Sequence, residues 1–144
     1  RALQTVEPQI VMHLAGTSSA ASYSDLYAAN VVFAANLLDA AAALPSAAKV
    51  LLIGSAAEYG PVDEEHLPVT EDFACRPNTA YGISKLAQTH HALAAAANGL
   101  PVAVARLFNP IGAGMPKTLA LGSFADQIAR MDPLAAYSRL ATLM

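Results

Sequence analysis

Tyr81 and Lys85 are the residues whose types and spacing point most directly to chemistry. Two residues that are four positions apart on a helix lie one above the other on the same face. A lysine ammonium beside a phenol favours the phenolate electrostatically, so the tyrosine can donate or accept a proton near neutral pH. Such a pair also arises by chance on exposed helices, where the lysine is simply solvated. The rest of the sequence must therefore provide a site around it.

Composition excludes several classes of protein. The 144 residues suffice for one domain with a sizeable core, and 55% of them are hydrophobic. The net charge of −3 and the absence of a basic run argue against nucleic acid or an anionic membrane as a partner. No apolar run approaches the roughly 18 residues of a membrane span. Cys75 is the single cysteine, so no intrachain disulfide can form and a reducing, cytoplasmic location is expected.

Three short apolar segments predict strands of a parallel sheet, at residues 9–15, 49–54 and 100–107. Their hydrophobicity is continuous rather than alternating, which is typical of strands that are buried on both faces. Helical patterns occupy residues 22–44, 79–98 and 118–131, with Ser22 or Ser24 capping the first and Asn78 or Thr79 capping the second. This alternation predicts an α/β fold made of parallel βαβ units.

Polar loops follow each predicted strand, at residues 16–19, 55–60 and 108–114. In open parallel sheets, ligands bind beyond the carboxyl ends of the strands. The topology therefore gathers Ser55, Tyr81 and Asn109 at one rim. A serine hydroxyl and a tyrosine that touch the same substrate oxygen would suit hydride transfer, in which a cofactor moves the hydride and the protein moves the proton. Ser55 could equally be a hydroxyl that only stabilises a turn.

Two residues of the predicted helices are unusual at their positions. Asn30 falls on the apolar stripe between Leu26 and Phe33, and a buried amide needs hydrogen-bond partners. It is either a core asparagine that backbone groups satisfy or a residue that orders a site near Lys85. Gly82 is a poor helix former that allows another backbone or a ligand to approach closely.

A metal site is not expected. His13, at the end of a predicted strand, is interpreted as a satisfied core histidine. His90 and His91 are adjacent on a helix and point about 100° apart, so they cannot chelate one ion together. His66 stands alone in the acidic, proline-rich segment 61–77, which is predicted to be an ordered surface loop.

Five motifs follow one another along the chain: HLAG at 13–16, Asn30, SAAEYG at 55–60, YGISK at 81–85 and RLFNPIG at 106–112. Their order and spacing resemble the extended short-chain dehydrogenase/reductase family, the NAD(P)-dependent epimerases, dehydratases and reductases of nucleotide sugars. The resemblance covers about residues 3–130. Within the family, the segment around Ser55 and the LPVTE that follows it at 67–71 are most similar to reductases of GDP-4-keto-6-deoxy-mannose.

The resemblance implies a role for each motif. Ser55, Tyr81 and Lys85 would form the catalytic triad, and Asn30 would be the structural asparagine behind the active site. NAD or NADP would be the cofactor and a nucleotide sugar the substrate. The implied cofactor-binding residues are Leu14, Ala15, Gly16, Tyr81, Lys85, Pro110 and Ile111. The implied substrate-binding residues are Ser55, Ala56, Glu58 and Asn109.

The resemblance also implies a Rossmann-type, doubly wound parallel sheet. No G-x-x-G-x-x-G turn lies before Pro8, so the chain is expected to hold the C-terminal part of that sheet and to lack its first βαβ units. Residues 1–131 would form a partial NAD(P)-binding domain, and 132–144 a divergent tail. The helices at 22–44 and 80–98 would pair in a homodimer of the intact parent. A chain that only folds, binds or assembles remains an alternative.

One departure from the family pattern bears on the reaction. The 4,6-dehydratases of this family carry acids within two residues after the active-site hydroxyl, where this chain has Ala56 and Ala57. A methyl group cannot transfer a proton, so dehydration is disfavoured. A 4-keto reductase and a 4-epimerase both remain possible, because each needs only hydride transfer and the tyrosine.

Overall fold

The computed structural model describes residues 2–46 and 48–131, and the predicted tail at 132–144 lies outside them. The chain divides into two compact units, Arg1–Phe108 and Asn109–Met144. The helices of the described part are α1 (Ala2–Val6), α2 (Tyr23–Tyr27), α3 (Phe33–Ala42), α4 (Ala80–Ala97) and α5 (Ala120–Arg130). The strands are β1 (Ile10–His13), β2 (Lys49–Ser55) and β3 (Val102–Leu107).

The first unit contains a parallel sheet with the strand order β1-β2-β3. β1 pairs with β2 from Ile10 opposite Lys49, and β2 pairs with β3 as far as Ser55 opposite Leu107. Each pair of neighbouring strands is joined by a segment that contains a helix. The predicted α/β fold of parallel βαβ units is therefore confirmed, and the carboxyl ends of all three strands meet at one edge of the sheet.

The core lies on one face of this sheet. It contains buried side chains from α3, β2, α4 and the residue that follows Gly99: Leu38, Ala41, Val50, Leu52, Ala92 and Leu100. On the other face, Ile10 is 62% and Met12 is 60% exposed. The prediction that the strands are buried on both faces is thus wrong for β1, because α3 and α4 cover the same side of the sheet.

A wide, π-helical turn at Ala28–Val32 joins α2 to α3. Because the wide turn changes the helical phase, the buried stripe runs through Ala34 and Leu38. Phe33, which the regular 3.6-residue pattern predicted to be buried, is 52% exposed. The start of this helical segment agrees with the sequence, since the Ser22 hydroxyl accepts a hydrogen bond of 3.1 Å from the backbone N–H of Asp25.

α4 begins and ends as predicted. The Thr79 hydroxyl caps its start by accepting a hydrogen bond of 3.0 Å from the backbone N–H of Gly82. Gly99, with φ of 94°, terminates it and donates its N–H to the carbonyl of Ala96. No helix among the described residues is long and apolar enough to cross a membrane.

In the second unit, α5 occupies most of the predicted helix at 118–131. Asp126 lies in the middle of this helix and pairs with two cations. Its carboxylate contacts the ammonium of Lys117 and lies 3.0 Å from Nε of Arg130, one turn further along. Exposed pairs of this kind contribute little to stability individually.

His13 is buried at the end of β1, as predicted, but its Nε2 has no hydrogen-bond partner in the described part of the chain. Its ring centroid lies 5.5 Å from that of Phe33. Burial, and then the positive charge of Lys85, lower the pKa of His13. The folded chain therefore resists protonation at this residue more than the unfolded chain does.

We predict that the free energy of unfolding falls as the pH drops below the pKa of an unfolded histidine, about 6.5, because the unfolded state then binds the extra proton. The contribution of His13 has a slope of at most about 1.4 kcal/mol per pH unit. His13→Leu should remove this contribution, as measured by urea unfolding between pH 5 and 8. His90→Leu, at an exposed position, is the control variant; equal slopes for both variants would contradict the prediction.

Candidate active site

A cavity of about 270 Å³ opens at the carboxyl ends of β1 and β2. It brings together the predicted cofactor-binding loop and the predicted pair on α4. Its lining comprises Leu14, Ala15, Gly16, Thr17, Ser18, Asn30, Ile53, Gly54, Tyr81 and Lys85. Five of the seven residues that were predicted to bind a cofactor therefore border one cavity.

Lys85 is buried beside this cavity, with 5% of its surface exposed. Its ammonium donates one hydrogen bond to the carbonyl of Ile53 and another to Oε1 of Gln88, both at 2.6 Å. Burial lowers the pKa of Lys85, and the negative charge of Glu58 opposes this shift. The geometry rules out a freely solvated lysine.

Tyr81 lies in the first turn of α4 and is half-buried. Its hydroxyl forms no hydrogen bond to any residue that the structure describes, so it is available to a ligand in the cavity. Its backbone carbonyl, in contrast, accepts a hydrogen bond of 2.8 Å from the Ser84 hydroxyl. The phenol hydroxyl of Tyr81 therefore has no partner among the described residues, whereas its backbone carbonyl is fixed by the hydrogen bond from Ser84.

Gly82 allows α4 to approach the turn that follows β2. A Cβ atom at this position would lie only 2.4 Å from the carbonyl oxygen of Ala57. The close approach predicted for Gly82 is therefore made by another backbone. Because Ala57 is two residues from Ser55 and Gly82 is next to Tyr81, this contact brings the serine turn to the first turn of α4.

Asn30 connects the loop after β1 to α4, and it is fully buried. Its Oδ1 accepts a hydrogen bond from the backbone N–H of Thr17, and its Nδ2 donates to the carbonyl of Thr17 and to the hydroxyl of Ser84, all at 2.9 Å. A Cβ atom at Gly16 would lie 2.9 Å from the same Oδ1. The backbone of Thr17 and the hydroxyl of Ser84 thus satisfy the amide of Asn30, and the alternative that it orders a site near Lys85 stays a prediction.

Ser55 ends β2 and caps the short 3-10 turn Ala56–Glu58. Its hydroxyl oxygen accepts a hydrogen bond of 3.2 Å from the backbone N–H of Ala57. The hydroxyl proton remains available for donation. Ser55 therefore has the structural role that the sequence left open, and this role is compatible with a contact to substrate.

Glu58 is fully buried, which argues against the prediction that its side chain binds substrate. Its Oε1 accepts a hydrogen bond of 2.8 Å from the backbone N–H of Ser55. Its Oε2 accepts bonds of 2.9 Å from the Thr89 hydroxyl and from Nε of Arg106. The sequence contained a signal for this arrangement, because Ser55 and Glu58 form the S-x-x-E pattern of a capping box.

A larger cavity of about 530 Å³ lies next to Arg106, which forms an ion pair with Glu58. Tyr59, Arg106 and Phe108 form part of its lining. The Arg106 guanidinium stacks over the Tyr59 ring at 5.0 Å from its centroid. Neither Tyr81 nor Lys85 borders this cavity. The predicted pair of Tyr81 and Lys85 therefore borders the smaller cavity and not the larger one.

Among the described residues, Asp63, Glu65 and His66 offer ligand atoms within 4.8 Å of one another. All three are exposed in the loop 61–77. Exposed acidic groups often cluster without an ion, so the expectation of no metal site stays a prediction.

The sequence profile of the NAD dependent epimerase/dehydratase family matches residues 1–136. The chain belongs to this family. The resemblance carried by the five motifs is thereby confirmed, and so is the Rossmann-type NAD(P)-binding fold that it implied.

Three family relatives illustrate the similarity. The chain is 37% identical over 129 residues to GDP-6-deoxy-D-mannose reductase of Pseudomonas aeruginosa, covering 86% of the chain and 42% of that protein. It is 34% identical over 136 residues to dTDP-6-deoxy-L-talose 4-dehydrogenase (NAD(P)(+)) of Kitasatospora kifunensis, covering 92% and 41%. The solved structure of RMD from P. aeruginosa complexed with NADPH matches with a TM-score of 0.79 and 36% identity, covering 86% and 44%. The chain thus spans less than half the length of these family members.

Residues 109–112 of the last motif lie at the start of the second unit. Asn109, Pro110 and Ile111 are all exposed, and Asn109 has φ of 35°, a left-handed conformation that asparagine tolerates. Their predicted contacts, with substrate for Asn109 and with cofactor for Pro110 and Ile111, stay predictions.

We predict that Gly82→Ala lowers the free energy of unfolding by about 1–3 kcal/mol, because the new methyl group would overlap the carbonyl of Ala57. This loss would occur although alanine is intrinsically favoured in a helix by about 1 kcal/mol. Urea unfolding measures the change. Gly112→Ala, where a Cβ atom would meet nothing within 4 Å, is the matched control. An unchanged or raised stability of Gly82→Ala would contradict the close approach.

Proposed function

We propose that the chain provides the proton-transfer site of an NAD(P)-dependent oxidoreductase that reduces the 4-keto group of a nucleotide sugar of the GDP-6-deoxy-mannose type. The observation that supports this most is the meeting of a free phenol, a buried ammonium and an exposed backbone loop at one cavity. The family relatives whose names specify a reductase and a 4-dehydrogenase of 6-deoxy sugars point to the same class of reaction.

The residues at the cavity fit a nicotinamide cofactor. Leu14, Ala15 and Gly16 are exposed residues that line the cavity, and a Cβ atom at Gly16 would lie 2.9 Å from Oδ1 of Asn30. This loop would hold the cofactor through backbone groups, and the remaining N–H of Lys85 would hold a ribose hydroxyl. When bound, a nicotinamide cofactor supplies the hydride. Both NADP and NAD are compatible with this arrangement, and the structure of the RMD relative is a complex with NADPH.

Tyr81 would donate the proton that the reduced carbonyl oxygen needs. The Ser55 hydroxyl would hydrogen-bond the same oxygen and polarise the carbonyl. The ammonium of Lys85 would stabilise the negative charge that develops on the Tyr81 oxygen as the proton leaves. The three side chains therefore have separate tasks in one step.

The residues after Ser55 argue against dehydration. Ala56 and Ala57 are half-buried in the turn after β2, and their methyl groups cannot accept or donate a proton. Ala56 and Asn109 would contact the substrate without acting as acids or bases. A nucleotide-sugar 4-epimerase would use the same groups as the reductase, and the two reactions differ in whether the cofactor is consumed.

A homodimer through α2, α3 and α4 is also proposed. Apolar side chains on these helices are exposed, with Val32 and Phe33 on the segment 23–42 and Ile83 and Leu93 on α4. We expect sedimentation to show a dimer whose population grows with concentration. A monomer throughout the micromolar range would contradict this proposal.

We predict that Tyr81→Phe lowers the rate of NADPH-dependent 4-keto reduction by about 100-fold or more, since it removes the general acid and keeps the ring. Turnover is followed by loss of the reduced nicotinamide absorbance with a panel of 4-keto nucleotide sugars. Tyr23→Phe, at a position that is 79% exposed, is the matched control and should retain activity. A Tyr81→Phe rate within threefold of the wild type would contradict the proposed role.

Calorimetric titration with NADPH separates this proposal from the alternative of an inactive chain. A chain that binds NADPH and reduces no 4-keto nucleotide sugar would contradict the substrate class. A chain that binds no NADPH would favour a polypeptide that only folds or assembles. The assay applies to this chain and, where its gene encodes further residues, to the complete product.

A further inference from the structure

A buried glutamine lies one helical turn after Lys85. Gln88 is fully buried, and its Oε1 accepts the 2.6 Å hydrogen bond from the Lys85 ammonium. Its Nε2 donates a bond of 3.2 Å to the carbonyl of Ile53, which also accepts from the ammonium. The three groups form a closed ring of hydrogen bonds. Because an ammonium can only donate, the chemistry itself fixes which end of the amide faces Lys85.

The ring uses two of the three N–H donors of the ammonium. Both bonds are short, as expected when the donor is charged. The anchor points lie on α4 itself and on β2, so the ammonium cannot swing away from the wall of the cavity. The third N–H is the one that remains for the cavity, which Lys85 and Tyr81 both line.

Gln88 differs from a carboxylate in one respect that matters at this position. A glutamate would bind the ammonium equally well but would cancel its charge. The neutral amide accepts the hydrogen bond and leaves the positive charge uncompensated at close range. The other titratable groups around Lys85 are His13 on β1, Glu58 after β2 and Tyr81 on α4, and the carboxylate of Glu58 already pairs with Arg106.

We propose that Gln88 is a positioning residue, which together with the carbonyl of Ile53 fixes the Lys85 ammonium so that its positive charge acts on Tyr81 while its third N–H remains free for a ligand in the cavity. The position of the ammonium does not depend on the reaction, whereas its electrostatic effect on Tyr81 during catalysis rests on the proposed function. The two parts are therefore tested by separate measurements.

The first measurement is the rate at which the lysine ammonium protons exchange with water, followed by NMR in the complete chain with isotope-labelled lysine. The sequence contains three lysines, so Lys49 and Lys117 serve as exposed internal references. In the unaltered chain, we expect the Lys85 ammonium protons to exchange slowly at neutral pH while those of the other two exchange rapidly. Equally rapid exchange of all three would overturn the proposal, whatever the behaviour of any variant.

The second measurement uses two substitutions of similar shape. Gln88→Met removes the acceptor, and we expect it to lower the pKa of Lys85 by about one unit or more. Gln88→Glu adds a charge, and we expect it to raise that pKa. If Gln88 only fills space, the pKa of Lys85 should be unchanged in both variants. That result would contradict the proposal even if both variants were less stable.

The third measurement is the pH dependence of kcat. We expect Gln88→Met to move the alkaline limb to lower pH with little change in KM, and Gln88→Glu to lower kcat about tenfold or more at every pH. An active wild type with an unchanged profile in both variants would overturn the role toward Tyr81. A slow-exchanging Lys85 in a chain without any reductase activity would instead overturn the proposed function and leave the placement by Gln88 intact.

Discussion

The side-chain amide of Asn30 is the interaction on which the arrangement of the site depends. Its three hydrogen bonds join the backbone of Thr17 to the hydroxyl of Ser84, which in turn holds the carbonyl of Tyr81. The loop after β1 and the first turns of α4 are therefore fixed to each other through one buried group. Loss of the Oδ1 acceptor would leave the N–H of Thr17 without this partner, and an unsatisfied polar group costs about 1–3 kcal/mol when it is buried.

Two buried charges behind the cavity are treated differently. The carboxylate of Glu58 is neutralised by Arg106 and receives two further hydrogen bonds, so it contributes rigidity to the turn that holds Ser55. The ammonium of Lys85 is bound by two neutral acceptors instead. In a medium of low dielectric constant, an uncompensated charge acts strongly on neighbouring groups. The structure thus pairs the carboxylate directly with a cation, whereas the ammonium, which borders the same cavity as Tyr81, is held by neutral groups.

Much of the fold followed from local patterns. The parallel pairing of the strands, the cap at Thr79, the end of α4 at Gly99 and the close approach at Gly82 were all predictable, because each depends on residues that are near in sequence or on general topology. The family motifs also identified the lining of the cavity at Leu14, Ala15, Gly16, Tyr81 and Lys85.

What could not be predicted depends on contacts between distant segments. The apolar pattern of β1 contains no information about which face a helix will cover, so the exposure of Ile10 and Met12 was missed. The partner of Glu58 is Arg106, 48 residues later, and its identity requires the paired strands. The role of Gln88 was not predicted. Its spacing of three from Lys85 indicates a shared helix face. A single amide among other polar side chains of a helix, however, has no distinctive sequence pattern.

The π-helical turn at Ala28–Val32 makes the geometry of the site depend on the number of residues in this helical segment. A regular α-helix advances by about 100° per residue, so removal of one residue there would rotate the preceding half relative to the following half. Leu26 and Ala34 could then no longer both face the core while Asn30 faced Thr17. The geometry of the site therefore constrains the number of residues in this segment, even where the individual side chains are exposed.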